Sequence, residues 1–273
     1  MKAGPPLSEA SLRRRGLVLL LTAIACTVAV WLGPPIHQDL GYHQFADTRT
    51  LLAVPNALNV LSNLPFAVVG LLGLHKVWVA QAPSPLAERG QRSWFLVLFG
   101  GIFLTAFGSA YYHYAPDSRS LFWDRLPMTL GFMSLFALVL KERVSVRLGD
   151  VLAGPLVLLG LASVSYWRWG DASGHGDLRL YVLVQFYPLL SLPLILWLFP
   201  PRYAGTRELV VTIGWYALAK ALEVADARIF ALTSNLVSGH SVKHLAAATA
   251  TWFLVRMADA RQRGDHPGSP PKA

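Results

Sequence analysis

The chain has 273 residues, of which 54% are hydrophobic and only 14% are charged. A soluble globular protein carries about 25% charged residues, so this composition excludes a water-soluble surface and predicts an integral membrane protein. The net charge of +9 at pH 7 does not indicate nucleic-acid binding, because the basic residues are scattered between apolar runs instead of forming one polar face.

Eight apolar runs bounded by Pro, Gly and charged residues predict eight transmembrane helices. In chain order they are Leu17–Leu32, Ala57–Ala80, Ser93–Tyr114, Leu121–Leu140, Val151–Trp167, Leu180–Phe199, Leu209–Val224 and Val242–Met257. The predicted fold is therefore an all-α polytopic membrane protein. Residues 17–33 form an additional helix before a seven-helix domain at 54–257, with tails at 1–16 and 258–273.

The first run follows three arginines, Arg13 to Arg15, and resembles a signal peptide or a lipoprotein signal ending at Cys26. The apolar stretch continues to Leu32, which favours a retained helix. With eight spans, 16 of the 24 basic residues fall on the side of the termini. The positive-inside rule then predicts a multi-pass cell-membrane protein with both termini in the cytoplasm. The ends of the chain, Met1–Leu12 and Gln262–Ala273, are predicted to be disordered.

The third predicted helix ends in GSAYYHY, which places Ser109 and His113 four residues apart on one helical face. Ionisable groups within a membrane are costly unless they are paired or hydrated, so His113 is a candidate functional residue. The alternative is an interfacial aromatic belt in which Tyr111, Tyr112 and Tyr114 anchor the helix and His113 has no further role.

The fourth predicted helix opens with LFWDRLPM and carries Asp124 beside Arg125. A local salt bridge, or an acid favoured by the helix dipole, would also explain Asp124. The last helix opens with SGHSVKHLAAA, where His240 and His244 have the i, i+4 spacing that lets two imidazoles bind one metal. The alternative is a chance pair of interfacial histidines.

The predicted topology brings these residues to the same side of the membrane, toward the outer face. Three histidines, an acid and a hydroxyl at similar depth are a more specific indication of a functional site than any one of them alone. With the single cysteine Cys26, a multi-cysteine metal site is excluded. Three nitrogen ligands and an open fourth position describe a catalytic zinc site of the carbonic-anhydrase type.

The same residues give a pattern that resembles the alkaline ceramidases and the wider superfamily that includes the adiponectin and progestin receptors. The pattern is S-x3-H, an Asp eleven residues after that His, and a late H-x3-H, here Ser109, His113, Asp124, His240 and His244. The segment Asn59–Asn63, N-V-L-S-N, is similar to the N-T-x-S-N of the first core helix, with Val60 in place of the Thr. The resemblance covers roughly residues 54–255 and leaves the first helix as an addition.

One part of the family pattern is missing. Alkaline ceramidases carry an acid-rich N-terminal calcium site of the W-x-E-x-N type, whereas this chain offers Asp39, His43, Asp47 and, at a later Glu position, Asn56. Calcium prefers several oxygen ligands, usually with two or more carboxylates. We therefore predict zinc and make no prediction of calcium.

The resemblance implies that His113, His240 and His244 bind zinc, that Asp124 transfers protons and that Ser109 stabilises the oxyanion. The implied enzyme is an amidase of sphingolipid metabolism that hydrolyses ceramide, or a related N-acyl lipid from the membrane, to a fatty acid and a long-chain amine. Three alternatives stay open: an esterase or phospholipase-like hydrolase, a lipid-sensing receptor, and a metal that only joins helices. The sequence leaves the oligomeric state open.

Two further polar groups are interpreted as structural. Asn59, Ser62 and Asn63 suit hydrogen bonds between helices. A second group recurs at three-residue steps near the end of the seventh helix and indicates an internal ion-pair network that Lys243 or Arg125 would complete. Its members are Lys220, Glu223 and Asp226.

Overall fold

The computed structural model describes residues 8–263, in which ten α-helices follow one another along the chain. They are α1 (Glu9–Leu32), α2 (Ala57–Leu61), α3 (Leu64–Val79), α4 (Arg89–Tyr114), α5 (Ser118–Val139), α6 (Val146–Ala172), α7 (Arg179–Leu198), α8 (Thr206–Val224), α9 (Asp226–Leu232) and α10 (Gly239–Gln262). Short 3₁₀ helices lie at Leu40–His43 and Pro85–Ala87, and a π-helical turn, Leu140–Val144, follows α5.

The predicted all-α polytopic membrane fold is confirmed. Within residues 8–263, six helical segments are long and apolar enough to cross a membrane: α1, α2 with α3, α4, α5 with its π turn, α6 and α7. Helices α8 and α10 are long enough but are too polar to join that group. Each of the eight predicted spans corresponds to helical structure, so the apolar runs located the helices correctly.

Helix α1 starts at Glu9, eight residues before the predicted start at Leu17. Ser8 caps it by accepting a hydrogen bond from the amide of Ser11 at 3.3 Å, and arginine is a good helix former. The basic residues at 13–15 therefore continue the helix instead of preceding it. Residues 9–12 and Gln262 are helical, contrary to the predicted disorder there, and the outermost parts of both predicted tails lie outside the described residues.

The predicted helix Ala57–Ala80 is interrupted between α2 and α3, at Ser62 and Asn63. Pro65 causes the interruption, because proline has no amide hydrogen to donate to the carbonyl of Leu61 and its ring crowds that carbonyl. The break frees backbone carbonyls, and the side chain of Asn63 donates to the carbonyl of Asn59 at 2.8 Å. The break also directs the side chains of Ser62 and Asn63 into the bundle.

The helices of the predicted core form a ring in which α3 packs on α4 and α10, α4 on α5, α5 on α6 and α7, and α10 on α8. Contact between α7 and α8 is sparse, although Gln185 of α7 donates to the Tyr216 hydroxyl of α8 at 2.9 Å. Helix α1 lies outside the ring against α7. Its only buried side chain is Leu19, so the rest of its apolar surface is left for lipid.

Helices α4 and α5 approach closely at Gly108. A Cβ atom at this position would lie 2.0 Å from the carbonyl oxygen of Trp123, which is far inside van der Waals contact. Only glycine therefore permits this spacing, and the next residue on each helix is Ser109 on α4 and Asp124 on α5.

Candidate metal centre

Three histidines meet at one end of the bundle. His113 comes from the last turn of α4, and His240 and His244 come from the first turns of α10. One ring nitrogen of each lies within 4.8 Å of the others, and their side chains are buried. We call these three residues the histidine cluster. Sequence spacing and topology predicted that they would come together, and they do.

The spacing within the histidine cluster suits a metal ion. The Nε2 atoms of His113 and His240 are 3.4 Å apart. Two nitrogens bound to one tetrahedral zinc at about 2.0–2.1 Å lie about 3.3 Å from each other. The nitrogen donor set and this distance therefore fit a zinc ion, and the cluster is a buried three-histidine group that can hold a metal.

Ser62, at the break between α2 and α3, fixes the orientation of His244. The Ser62 hydroxyl donates to the carbonyl of Asn59 at 3.1 Å and lies 2.7 Å from Nδ1 of His244. When the hydroxyl donates to the carbonyl of Asn59, His244 donates from Nδ1 to the hydroxyl oxygen, and this tautomer leaves its Nε2 lone pair for a metal. The sequence predicted a structural hydrogen bond for Ser62 but not its contact with a cluster histidine.

Asp226 positions His240 from the start of α9. One carboxylate oxygen accepts from the backbone amide of His240 at 2.8 Å and the other from the amide of Ala46 at 3.0 Å. The ring of Phe45, next to Ala46, packs at 4.7 Å from His113 and 4.8 Å from His240, measured between ring centroids. Asp226 was predicted to join an ion-pair network, and instead it ties the loop before α2 to the histidine cluster.

Asp124 and Ser109 are neighbours across the α4–α5 contact, because each follows a residue of the close approach between Gly108 and Trp123. Both line a cavity of about 250 Å³, the polar cavity, which is also lined by His244. The structure thus brings the predicted acid and hydroxyl to the same space as the histidine cluster.

The predicted ion-pair network is present on α8 and α10. Glu223 accepts from Lys220 and from Lys243, the latter at 3.0 Å. The Lys243 ammonium also lies 3.0 Å from Nε2 of His240. All three charged residues line the polar cavity, so the network borders the histidine cluster, and the Lys243 ammonium has to move away from Nε2 of His240 when a metal binds that nitrogen.

A second cavity, of about 130 Å³ and lined almost entirely by apolar side chains, continues deeper into the bundle. The two cavities share five lining residues: Phe66, Thr105, Met128, Tyr216 and Ala247. Together they offer a charged compartment beside the histidines and an apolar compartment behind it.

The residues at the broken calcium pattern have other partners. Both carboxylate oxygens of Asp47 accept from Arg49, at 2.7 and 2.8 Å, and these hydrogen bonds lower the pKa of Asp47 below its ordinary value. Asp39 caps the 3₁₀ helix at Leu40–His43, and Asn56 donates to the carbonyl of His113 at 2.8 Å. Within residues 8–263 these groups do not come together as a candidate metal site. The candidate metal-binding group there is formed by the three histidines.

No family model matches this chain, and no curated protein matches it. The chemistry of the site therefore has to be argued from its own geometry.

Proposed function

We propose that the protein is a zinc-dependent hydrolase within the membrane, similar to alkaline ceramidases, that cleaves the amide bond of ceramide or a related N-acyl lipid. The observation that carries this proposal is the position of the histidine cluster beside a cavity that Asp124 and Ser109 also line. Metal ligands, a carboxylate and a hydroxyl donor are the groups that metal-assisted hydrolysis requires.

Zinc is the metal that best suits three imidazole ligands, whereas magnesium and calcium prefer oxygen. A bound zinc ion would lower the pKa of a water toward 7 and polarise the scissile carbonyl. The protein contributes burial, the Ser62 contact that orients His244 and the Asp226 contact that fixes His240.

In the proposed reaction the water oxygen bonds to the carbonyl carbon and the carbon–nitrogen bond breaks. Asp124 accepts the proton of the water and delivers it to the leaving nitrogen, which is general acid–base catalysis by a carboxylate. Ser109 lines the same cavity as Asp124, and its hydroxyl donates to the oxyanion when substrate is bound. The products are a fatty acid and a long-chain amine.

The two adjacent cavities, which share five lining residues, support a lipid substrate. An amphipathic molecule would place its amide and head group in the polar cavity and its chain in the apolar cavity. Ligand pockets in general combine an apolar lining with a few polar groups that orient the ligand. The sparse contact between α7 and α8, both of which line the two cavities, offers access from the bilayer.

We also propose that both termini face the cytoplasm and that the histidine cluster faces outward. The proposal is supported by the basic residues, 16 of 24 of which fall on the terminal side when eight spans are counted. The cluster lies at the C-terminal end of α4 and the N-terminal end of α10, which this topology places on the opposite side.

The decisive experiment incubates the purified protein in detergent with labelled ceramides and other N-acyl lipids, with and without a chelator. We expect release of fatty acid that the chelator abolishes. If zinc is bound stoichiometrically and none of these lipids is cleaved, the amidase proposal fails and a lipid-sensing receptor or a structural metal takes its place. A parallel incubation with labelled ester lipids and phospholipids tests the alternative, and cleavage of those lipids alone would indicate an esterase or phospholipase-like enzyme.

The role of Asp124 is tested with Asp124→Asn. This variant should retain zinc, because Asp124 is not among the three ligands, and should lose turnover by about 10²- to 10⁴-fold, the usual contribution of general acid–base catalysis. Full activity of Asp124→Asn would remove Asp124 from proton transfer.

A further inference from the structure

Arg125, next to Asp124 on α5, is held in a box of aromatic rings. Its guanidinium carbon lies 4.6 Å from the ring centroid of Trp167, 4.9 Å from Tyr181 and 5.5 Å from Tyr42. The residue is 7% exposed. Rings from α6, α7 and the loop before α2 thus hold the planar head of Arg125 in place through cation–π contacts.

The aromatic box stabilises the charge of Arg125 without using all of its hydrogen-bond donors. Its Nη1 atom is buried and makes no hydrogen bond within residues 8–263. Buried polar groups are nearly always hydrogen-bonded, and a buried guanidinium usually has a carboxylate or several acceptors. Nη1 of Arg261 is also unbonded, but Arg261 pairs with Glu142, whereas Arg125 has no ion pair within residues 8–263. A buried, rigidly held guanidinium without a counter-charge is therefore available to an anionic ligand.

Arg125 also lines the polar cavity, together with Lys220 and Lys243. The two lysines share a single carboxylate, that of Glu223. The other acid of the cavity is Asp124. Three cations therefore face two anions in this space, before any metal is counted, and the cavity favours a negatively charged guest.

We propose that Arg125 is a specificity-determining residue that binds an anionic head group, so that the preferred substrate is an N-acyl lipid with a carboxylate or phosphate on the amine side of the amide. The substrate class rests on the proposed function, whereas the anion site stands on the cavity itself. Arginine suits this task because its fork of donors matches both anions bidentately.

The first test measures binding to the zinc-loaded protein of two ether lipids that a hydrolase cannot cleave, 3-(dodecyloxy)propanoate and the neutral 3-(dodecyloxy)propan-1-ol. Wild type should bind the carboxylate more tightly. Arg125→Gln keeps a planar group for the aromatic box, and it should weaken carboxylate binding by about 10- to 100-fold, the range for a hydrogen bond to a charged group, with little change for the alcohol. Arg228→Gln, at an exposed arginine of α9, should change neither affinity.

Two results would overturn the anion site. One is a wild-type protein that binds the alcohol as tightly as the carboxylate, a comparison that needs no variant to fold. The other is an Arg125→Gln protein that keeps the wild-type preference, which would make Arg125 a purely structural partner of the aromatic rings. Arg125→Lys, which keeps the charge but loses the fork, should retain part of the preference.

A second test separates a head-group anion from the carboxylate of a fatty-acid product. Hydrolysis of N-dodecanoylglycine is compared with that of N-dodecanoylethanolamine, which lacks the negative charge on the amine side. We expect wild type to prefer the glycine conjugate and Arg125→Gln to lose that preference. Equal slowing of both substrates would show that Arg125 does not recognise the head group and would overturn the proposal. Binding selectivity with no turnover of either conjugate would refute the substrate class and leave the anion site intact, whereas the hydrolase itself is tested with the ceramide panel.

Discussion

Polar side chains are buried at both ends of this bundle, and the two groups differ in how they are satisfied. At the end opposite the histidine cluster, Arg261 of α10 donates to Glu142 at 2.6 Å, and Arg143 donates to the carbonyl of Phe199 at 3.2 Å and the hydroxyl of Thr206 at 2.6 Å. We call Glu142, Arg143 and Arg261 the distal cluster. Each of its charged groups has a counter-charge or an acceptor from the protein itself, although Nη1 of Arg261 and Oε1 of Glu142 make no hydrogen bond within the described residues.

At the end with the histidine cluster, the protein buries polar groups without supplying all of them with a partner. Three histidine nitrogens face one another, and within the described residues the buried Arg125 has no ion pair and its Nη1 makes no hydrogen bond, whereas Arg261 pairs with Glu142. The polar cavity also lies at this end. Burial of charge therefore does not by itself mark a functional site in a membrane protein. The informative property is whether the chain supplies each buried charged or metal-binding group with a partner. A group without one indicates a ligand or metal ion that binds from outside.

The largest expected effect removes a ligand from the histidine cluster. His240→Ala should abolish stoichiometric zinc binding, because two imidazoles hold a structural or catalytic zinc far more weakly than three. His75→Ala, at an exposed histidine of α3, should leave the zinc content unchanged. Metal analysis of the purified proteins measures both, and full zinc content in His240→Ala would show that the cluster is not the metal site.

The next effect concerns the distal cluster, which should govern stability and not metal content. Glu142→Leu leaves Arg261 buried without its counter-charge and should cost about 3–5 kcal/mol of the free energy of unfolding. The double variant Glu142→Leu/Arg261→Leu should recover much of that loss, because both charges are gone. Denaturation in detergent measures the two proteins, with zinc content as the second readout. A double variant as unstable as the single one would contradict mutual pairing as the main role.

A smaller effect is expected from the hydroxyl that orients a histidine. Ser62→Ala should lower zinc affinity by about 10- to 100-fold, the usual consequence of losing a hydrogen bond to a metal-bound histidine. Ser191→Ala is a matched control, because Ser191 is a buried serine of α7 that donates to the carbonyl of Pro188. Competition with a chelator of known affinity measures both, and equal affinities in the two variants would remove Ser62 from the support of the cluster.

The smallest expected effect is on the pH dependence of folding stability, through Asp47 and Arg49 in the loop before α2. The hydrogen bonds from Arg49 lower the pKa of Asp47 in the folded protein, so the stabilisation is present above the ordinary pKa of an aspartate, about 3.9. It is lost as the pH falls through the lower folded-state pKa. Thermal unfolding of Asp47→Asn and of Arg49→Gln between pH 7 and pH 3 should show less acid destabilisation than wild type. An unchanged pH profile in both variants would contradict this linkage.

Much of the fold could be predicted because hydropathy reports directly on which segments leave water. The histidine cluster could be predicted because i, i+4 spacing and the side of the membrane constrain where His113, His240 and His244 lie. The break at Ser62 was missed although Pro65 signalled it, since the apolar run continues across it. The residues at the head of α1 were taken as a flank because arginines are expected outside the apolar segment.

Other contacts were beyond reach of the sequence because they join distant segments. The pairing of Glu142 with Arg261 depends on how the ends of α5 and α10 are placed, and no local spacing encodes it. The aromatic box of Arg125 draws on three separate elements. Asp226 lies in register with Lys220 and Glu223, which suggested an ion pair, but the turn between α8 and α9 directs its carboxylate to backbone amides instead.

The position of α1 has a consequence for how the chain is made. Its partner is α7, through contacts such as the donation of Arg179 to the carbonyl of Gly33 at 3.0 Å and of Tyr187 to the carbonyl of Leu19 at 3.2 Å. Some 150 residues separate the two helices along the chain. At a synthesis rate of about 5–20 residues per second, the first helix waits roughly 7–30 seconds for its partner to leave the ribosome. During biogenesis α1 must therefore persist in the bilayer alone, which its long, uncharged stretch after Arg15 equips it to do.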